Sequence, residues 1–405
     1  MEKSEFYRDA RRDLAGPLVG LRVLEATTSW AGPMCACVLA DMGADVIKVE
    51  QPSGEVTRRL PPFQAGVAFG HAMVNRNKRS LTLDLRVAEG REIFLKLAAR
   101  SDIVVQNFRP GTLDKWGVGY ESVRAVKPDI IYVSISGFGQ FGPIHDRVGY
   151  DPIAQAMSGF MSLNGPVDGG PSKAATFLCD DLAGLHGAIA ALGALHHRER
   201  TGEGQHLDVA LLDAMLFQSD GYLTLGAMGL GFPRTGNEFT FSVPTNTYRC
   251  ADGTVMLGIL LDTHWKVGAR MMGRAELADD PRFATLPGRM EHRQECNAVV
   301  SEWCCALTVK EVVETCARNT IPCSVVNTYE QAARDPHVLA RDMLQPIEQE
   351  NGQVAPITGP AAKFSRTPTR VRSAARALGA DTDVILADLG IDAAARNRLR
   401  SAKII

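Results

Sequence analysis

Residues 20–50, GLRVLEATTSWAGPMCACVLADMGADVIKVE, hold an apolar run at 21–26, a small-residue stretch at 32–42 and a second run, ADVIKVE. Two strands separated by one helix length pair in parallel through that helix, so the stretch predicts a βαβ unit. A parallel sheet needs both faces covered, and its strands then read as near-continuous apolar runs. KRSLTLDLR (78–86), REIFLKLAARS (91–101), DIVVQNF (102–108) and PDIIYVSISGFG (128–139) continue that alternation of strand and helix. The first half of the chain therefore reads as an α/β, doubly wound domain. Its first loop, EATTSWAGP, lacks the G-x-G-x-x-G that lets backbone approach a pyrophosphate, which weighs against a nicotinamide dinucleotide.

A long helix is expected from about 181 to 199, stopped by TGEGQ, and HLDVALLDAMLFQSDGYL reads as a strand running into a helix. Beyond GLGFPRTGNEFTFSVPTNTY the texture changes. YRCADGTVMLGIL (248–260) carries a D-G turn between two β-like runs, which predicts a hairpin within a smaller α+β domain at 240–325. TIPCSVVNTYEQAARDPHVLARDML then restarts a strand and helix pattern.

The chain of 405 residues has a formal net charge of −2, so no electrostatic footprint for nucleic acid or anionic lipid is visible, and any anionic ligand needs a local basic patch. The start, MEKSEFYRDARRD, has no apolar core of a signal peptide, and no later window approaches a membrane span, so a cytoplasmic protein with no membrane partner is expected. Nine cysteines, an odd number within apolar segments, read as reduced and mostly buried, and Cys35-x-Cys37 without a nearby His argues against a metal site.

Three clusters carry candidate chemistry. Asp180 and Asp181 enter an apolar segment just where the long helix begins. Asp180 reads either as the helix N-cap or as a reactive carboxylate, and the two roles are compatible, because free first-turn amides stabilise an oxyanion as well as an acid. Arg76, Lys78 and Arg79 precede a strand and read as phosphate contacts or as a solvated basic turn. Asn107, Phe108, Arg109 and Pro110 end a strand at the kind of carboxyl edge where doubly wound sheets bind ligands. No Ser-His-Asp spacing or nucleophile elbow is present.

The ordered blocks GLRVLEATTSWAGP, LADMGADVIKVEQPSGEVTR, NRNKRSLTLDL, VQNFRPGTLDKWG, SISGFGQFGP, GYDPIAQAMSG, DDLAGLHGAIAALGALHHRERTGEGQHLDVALLDA and RDPHVLARDML resemble the family III CoA-transferases, from about residue 18 onward. The resemblance implies an interlocked homodimer whose chains each have a Rossmann-like large domain built from both chain ends (1–225 and 330–405) and the small domain between. It implies that Asp180 carries acyl and CoA covalently, that Lys78, Asn107, Phe108 and Lys115 contact CoA, and that Thr28, Ser29, Trp30 and Ala31 lie against the thioester. Coenzyme A thioester is then a substrate, with no permanently bound cofactor and no metal. Trp30 and Gln51 depart from formyl-CoA transferase, which has Gln and Arg there, and Asp181 stands where relatives carry an apolar residue. The resemblance also implies that Gly149 and Tyr150 fall in the substrate pocket. The related α-methylacyl-CoA racemases have a His where Tyr150 stands, which favours CoA transfer over the racemase alternative. A CoA-binding protein without activity is the alternative of another class, and it would not be expected to keep Asp180.

Overall fold

The computed structural model describes residues 1–64 and 67–405. Six strands, β1 Arg22–Ala26, β2 Asp45–Glu50, β3 Lys78–Thr82, β4 Ile103–Gln106, β5 Ile131–Ser136 and β6 Gln205–Ala210, form one parallel sheet in the order β3-β2-β1-β4-β5-β6. Val23 of β1 is opposite Val46 on one side and Ile103 on the other. All six residues of β5 are buried, as the unbroken apolar run required. Strand order reverses between β1 and β4, so a crevice opens between the loops at their carboxyl ends.

Four helices carry or adjoin the residues of interest: α1 Ala31–Asp41, α2 Phe69–Asn75, α3 Asp151–Met157 and α4 Leu178–Thr201. α1 and α4 pack closely, which explains their Ala and Gly content. A Cβ on Gly184 would stand 2.8 Å from Cβ of Met34, and one on Gly187 would stand 3.1 Å from Sγ of Cys35. By length and composition alone α4 is long and apolar enough to cross a membrane, although Asp180 and Asp181 stand in its first turn. Its face bearing Ala183, Gly187, Ala191 and Ala194 is buried in the core with Cys35, Leu39 and Ile135.

The chain divides into two compact units, one of residues 1–160, 173–230 and 337–405, the other of residues 161–172 and 231–336. In the first, the C-terminal segment closes the free edge of β3. The Asp381 amide donates to the Ser80 carbonyl (3.0 Å), the Ser80 amide to the Asp381 carboxylate (2.9 Å) and the Thr82 amide to the Thr382 hydroxyl (3.1 Å). The Asp84 amide donates to the carbonyl of Ile404 at 2.8 Å.

The second unit holds an antiparallel sheet of β7 Thr245–Arg249, β8 Thr254–Gly258 and β9 Cys323–Val325, with β8 central. β7 and β8 form the hairpin expected from the D-G pair, closed by a bond from the Cys250 amide to the Gly253 carbonyl (2.8 Å). Its core packs Trp265 and Phe283 around Arg289. That buried guanidinium is satisfied by the carbonyls of Val243 and Phe283 and the carboxylate of Asp262.

Candidate active site

The loop between β1 and α1 lies at the switch point and is fixed from two directions. Asn107, just past β4, accepts from the Thr28 amide (2.9 Å) and donates to the Thr28 carbonyl (2.7 Å). Glu55 accepts from the Ser29 amide (3.2 Å) and the Thr28 hydroxyl (3.3 Å). Burial opposes charge on Glu55, but the hydrogen bond from His71 and the Lys48 ammonium outweigh it and hold the carboxyl below the usual carboxylate range. Ser29 sits at φ 64°, a left-handed conformation costly for a residue with a Cβ, and the contacts at Thr28 and Ser29 hold it there. Trp30 precedes α1, and Ala31, its first residue, is buried.

In the basic cluster Arg76 and Lys78 are buried and Arg79 is half-exposed, and each has a carboxylate partner. Lys78 is buried: its ammonium lies 2.7 Å from Glu25 and donates to the Pro33 carbonyl (2.9 Å) and to Asn75 (3.1 Å). Arg76 pairs with Asp41 (2.6 Å) and Arg79 with Asp45 (2.7 Å). Each cation faces a carboxylate contributed by β1, α1 or the start of β2, so the cluster ties β3 to its neighbours. The expectation of a CoA contact at Lys78 therefore meets an ammonium turned into the protein, where it shares the Glu25 carboxylate with Lys48. Lys115 is exposed, on a single helical turn after β4.

At the carboxyl ends of β1, β2 and β3 a cavity of about 360 Å³ is lined by Thr27, Thr28, Gln51, Arg59, Phe108 and Trp116, among others. Phe108 and Trp116 meet edge to face at 5.2 Å, so the cavity offers an aromatic wall beside polar loop groups. The Phe108 amide donates to Gln106 at 2.8 Å, which fixes the turn that presents the ring.

Asp180 lies in the first turn of α4, and it is not the cap. The helix begins three residues earlier than its pattern indicated, with Phe177 at the N-cap position and no side-chain cap from it. Asp151 of α3 supplies the missing acceptor instead: it takes the Cys179 amide at 2.7 Å and the Gln155 amide nitrogen at 2.6 Å, while Gln155 in turn accepts from the Ala174 amide (2.8 Å). Relieved of capping, the Asp180 carboxylate accepts no hydrogen bond from any described residue. Burial, then Asp151, then Asp181 push its pKa up to about 7. The neighbouring Asp181 accepts from the Trp30 indole at 2.7 Å, and burial raises its own pKa.

The structure thus brings Trp30 against the turn that holds Asp180 and joins Asn107 to Thr28. Gly149 packs on Gly137, where a Cβ would stand 3.2 Å from the Gly137 Cα, and Tyr150, exposed, immediately precedes Asp151. Sequence reasoning missed Asp151 and Glu55. Asp151 stands in GYDP, where an acid followed by Pro at a helix start was a readable signal, but its partner is 28 residues away.

Residues 18–382 match the sequence model of CoA-transferase family III. The chain is 38% identical over 386 residues to the succinate–glutarate CoA-transferase of Agrobacterium fabrum, covering 92% of this chain and 96% of that one. It is 37% identical over 397 residues to the succinyl-CoA–L-malate CoA-transferase beta subunit of Chloroflexus aurantiacus, covering 96% and 98%. A crystal structure of a CaiB/BaiF family protein from Brucella suis superposes with a TM-score of 0.83 at 35% identity, covering 93% of this chain and all of that one. A parallel sheet with a crevice at its switch point and a family match across nearly the whole length lead to one conclusion: the chain belongs to CoA-transferase family III and is an acyl-CoA:carboxylate CoA-transferase.

Proposed function

We propose that this enzyme moves CoA from succinyl-CoA or a similar donor to a small dicarboxylic acid through covalent intermediates on Asp180. Asp180 attacks the donor thioester, which forms an acyl–aspartyl anhydride and expels CoA thiolate. The thiolate attacks the aspartyl carbonyl, releases the donor acid and leaves CoA as a thioester on Asp180. The acceptor carboxylate then runs the sequence in reverse, so the thioester bond passes on without hydrolysis and no electrons are transferred.

The observation that carries this reading is the state of Asp180: partly buried, beside Asp151 and Asp181, and accepting no hydrogen bond from a described residue. Three carboxylates close together repel one another when ionised. Acylation removes the charge of one, so forming either intermediate relieves that repulsion. The 360 Å³ cavity suits the nucleotide end of CoA, with Phe108 and Trp116 for its base, and the thioester end then runs along Thr28, Ser29 and Trp30. Dicarboxylic acceptors are supported by relatives whose names carry glutarate, malate and mesaconate.

The molecule works as an interlocked homodimer in this reading. Leu185 and Ile189 of α4, Ile153 and Met157 of α3 and Phe217 on the helix after β6 are exposed on mutually packed helices, an apolar face suited to a partner subunit. The chemistry is tested by incubating the protein with succinyl-CoA alone and mapping the adduct by mass spectrometry. CoA or succinyl on the peptide carrying Asp180, released by hydroxylamine and absent from Asp180→Ala, is expected. Label on Asp181 instead, or full transfer activity in Asp180→Ala, refutes it.

A further inference from the structure

The indole of Trp30 spans two residues that bracket Asp180. Its Nε1 donates to Oδ1 of Asp181 at 2.7 Å, and its ring lies 4.9 Å from that of Phe177, tilted by 54°. Phe177 and Asp181 are one helical turn apart, joined by the Asp181 amide donating to the Phe177 carbonyl (2.9 Å), so they share a face of the turn that presents Asp180. On another side the ring approaches Gly70 closely: a Cβ there would stand 3.3 Å from Cζ3 of Trp30. Below the ring, the backbone is held by Asn107 and Glu55. An indole has a single donor and no acceptor, and Asp181 takes that donor. The rest of the ring is hydrocarbon.

We propose that the Trp30–Asp181 pair sets acid selectivity: Asp181 positions the indole as an apolar wall beside the acyl group on Asp180, which selects acids with a CH-bearing carbon next to the reacting carboxyl over oxalate-type acids. The inference rests on the CoA-transfer reading of the site. A methylene against the ring gains contact, whereas a carboxylate oxygen there loses its water without finding a donor. Discrimination of this kind is typically ten- to two-hundredfold. Asp181 matters because an indole released from it can turn its N–H toward a substrate oxygen.

The test is the ratio of kcat/KM for glutarate over oxalate with succinyl-CoA as donor. The native enzyme and Trp30→Phe, which keeps a wall without a donor, prefer glutarate at least tenfold. Asp181→Asn keeps an acceptor for the indole and keeps the preference. Trp30→Gln and Asp181→Leu lower the ratio at least fivefold, and Asp181→Leu has no such effect in a Trp30→Phe background. A ratio that stays within twofold of native in Trp30→Gln and Asp181→Leu overturns the inference. Calorimetric binding of glutarate and oxalate to protein saturated with CoA reads the same preference without turnover. Equal affinities there overturn the wall, whereas an intact preference with no CoA transfer overturns only the reaction assigned to the site.

Discussion

Replacing Asp180 by Asn removes a carboxyl while keeping its shape, and the pH at which this is done decides the outcome. The carboxyl goes from an ordinary 3.8 in the unfolded chain to about 7 in the folded one, through burial and then its two acidic neighbours. At about 1.4 kcal/mol per tenfold, the ceiling on what its ionisation costs the fold is about 4 kcal/mol. The side chain keeps some contact with water, so about 2 kcal/mol is expected. Below pH 4 both states hold the proton and the carboxyl is neutral toward stability. Between pH 4 and 7 the folded state keeps a proton the unfolded state has lost, so stability falls as pH rises, and above 7 the penalty is complete. Asp180→Asn should therefore melt within a degree of the native enzyme at pH 4.5 and a few degrees above it at pH 8.5, read by scanning calorimetry. On the proposed mechanism the transfer rate of the native enzyme should rise with pH through about 7, as Asp180 ionises. An Asn variant whose stability increment is the same at both pH values refutes the argument, because the carboxyl would then be ionised in the fold at all working pH.

Lys78→Met leaves Glu25 paired one to one with Lys48 at 3.1 Å, so the cost is that of the lost hydrogen bonds to Pro33 and Asn75, about 1–2 kcal/mol of stability, while the KM for acyl-CoA stays within twofold. A normally stable variant with a sharply raised KM would restore Lys78 as a CoA ligand. For the assembly, analytical ultracentrifugation across a thousandfold dilution should show dimer with no folded monomer, as expected of an obligate interface burying more than roughly 2,000 Å². A well-folded monomer at low concentration refutes the interlocked arrangement.

The sheet was legible because of what a doubly covered parallel strand demands. VLEA, VIKVE and IIYVSIS are mostly β-branched or apolar, their few polar residues are buried too, and β1, β2 and β5 form where those runs stand. The D-G hairpin of the second unit was legible for the same local reason. Two readings failed, both through partners distant in the chain. Asp180 looks like an N-cap because its helix seems to start after it, yet the capping acceptor comes from Asp151, and no local pattern announces that exchange. Arg76, Lys78 and Arg79 look like one basic surface, but Asp41, Glu25 and Asp45 lie 34 to 53 residues before them and meet them only once β1, β2 and β3 are side by side. A run of like charge says nothing about the carboxylates that a parallel sheet will bring to it.

The contacts of residues 381 to 404 with β3 have a consequence for how the protein is made. β3 is an outer strand of the sheet, and its amides at Ser80 and Thr82 find their acceptors, among the described residues, on Asp381 and Thr382. During translation the ribosome must add about three hundred residues after β3 before those acceptors leave the exit tunnel, which at ordinary elongation rates is on the order of 15 to 60 seconds. Throughout that interval the nascent sheet offers an open edge to any other nascent strand. The second unit, contiguous over residues 231–336 apart from one short segment, emerges and can collapse during the same wait. Synthesis thus folds the middle of this chain before it finishes the beginning, and the open edge of β3 is where a holding chaperone would be needed.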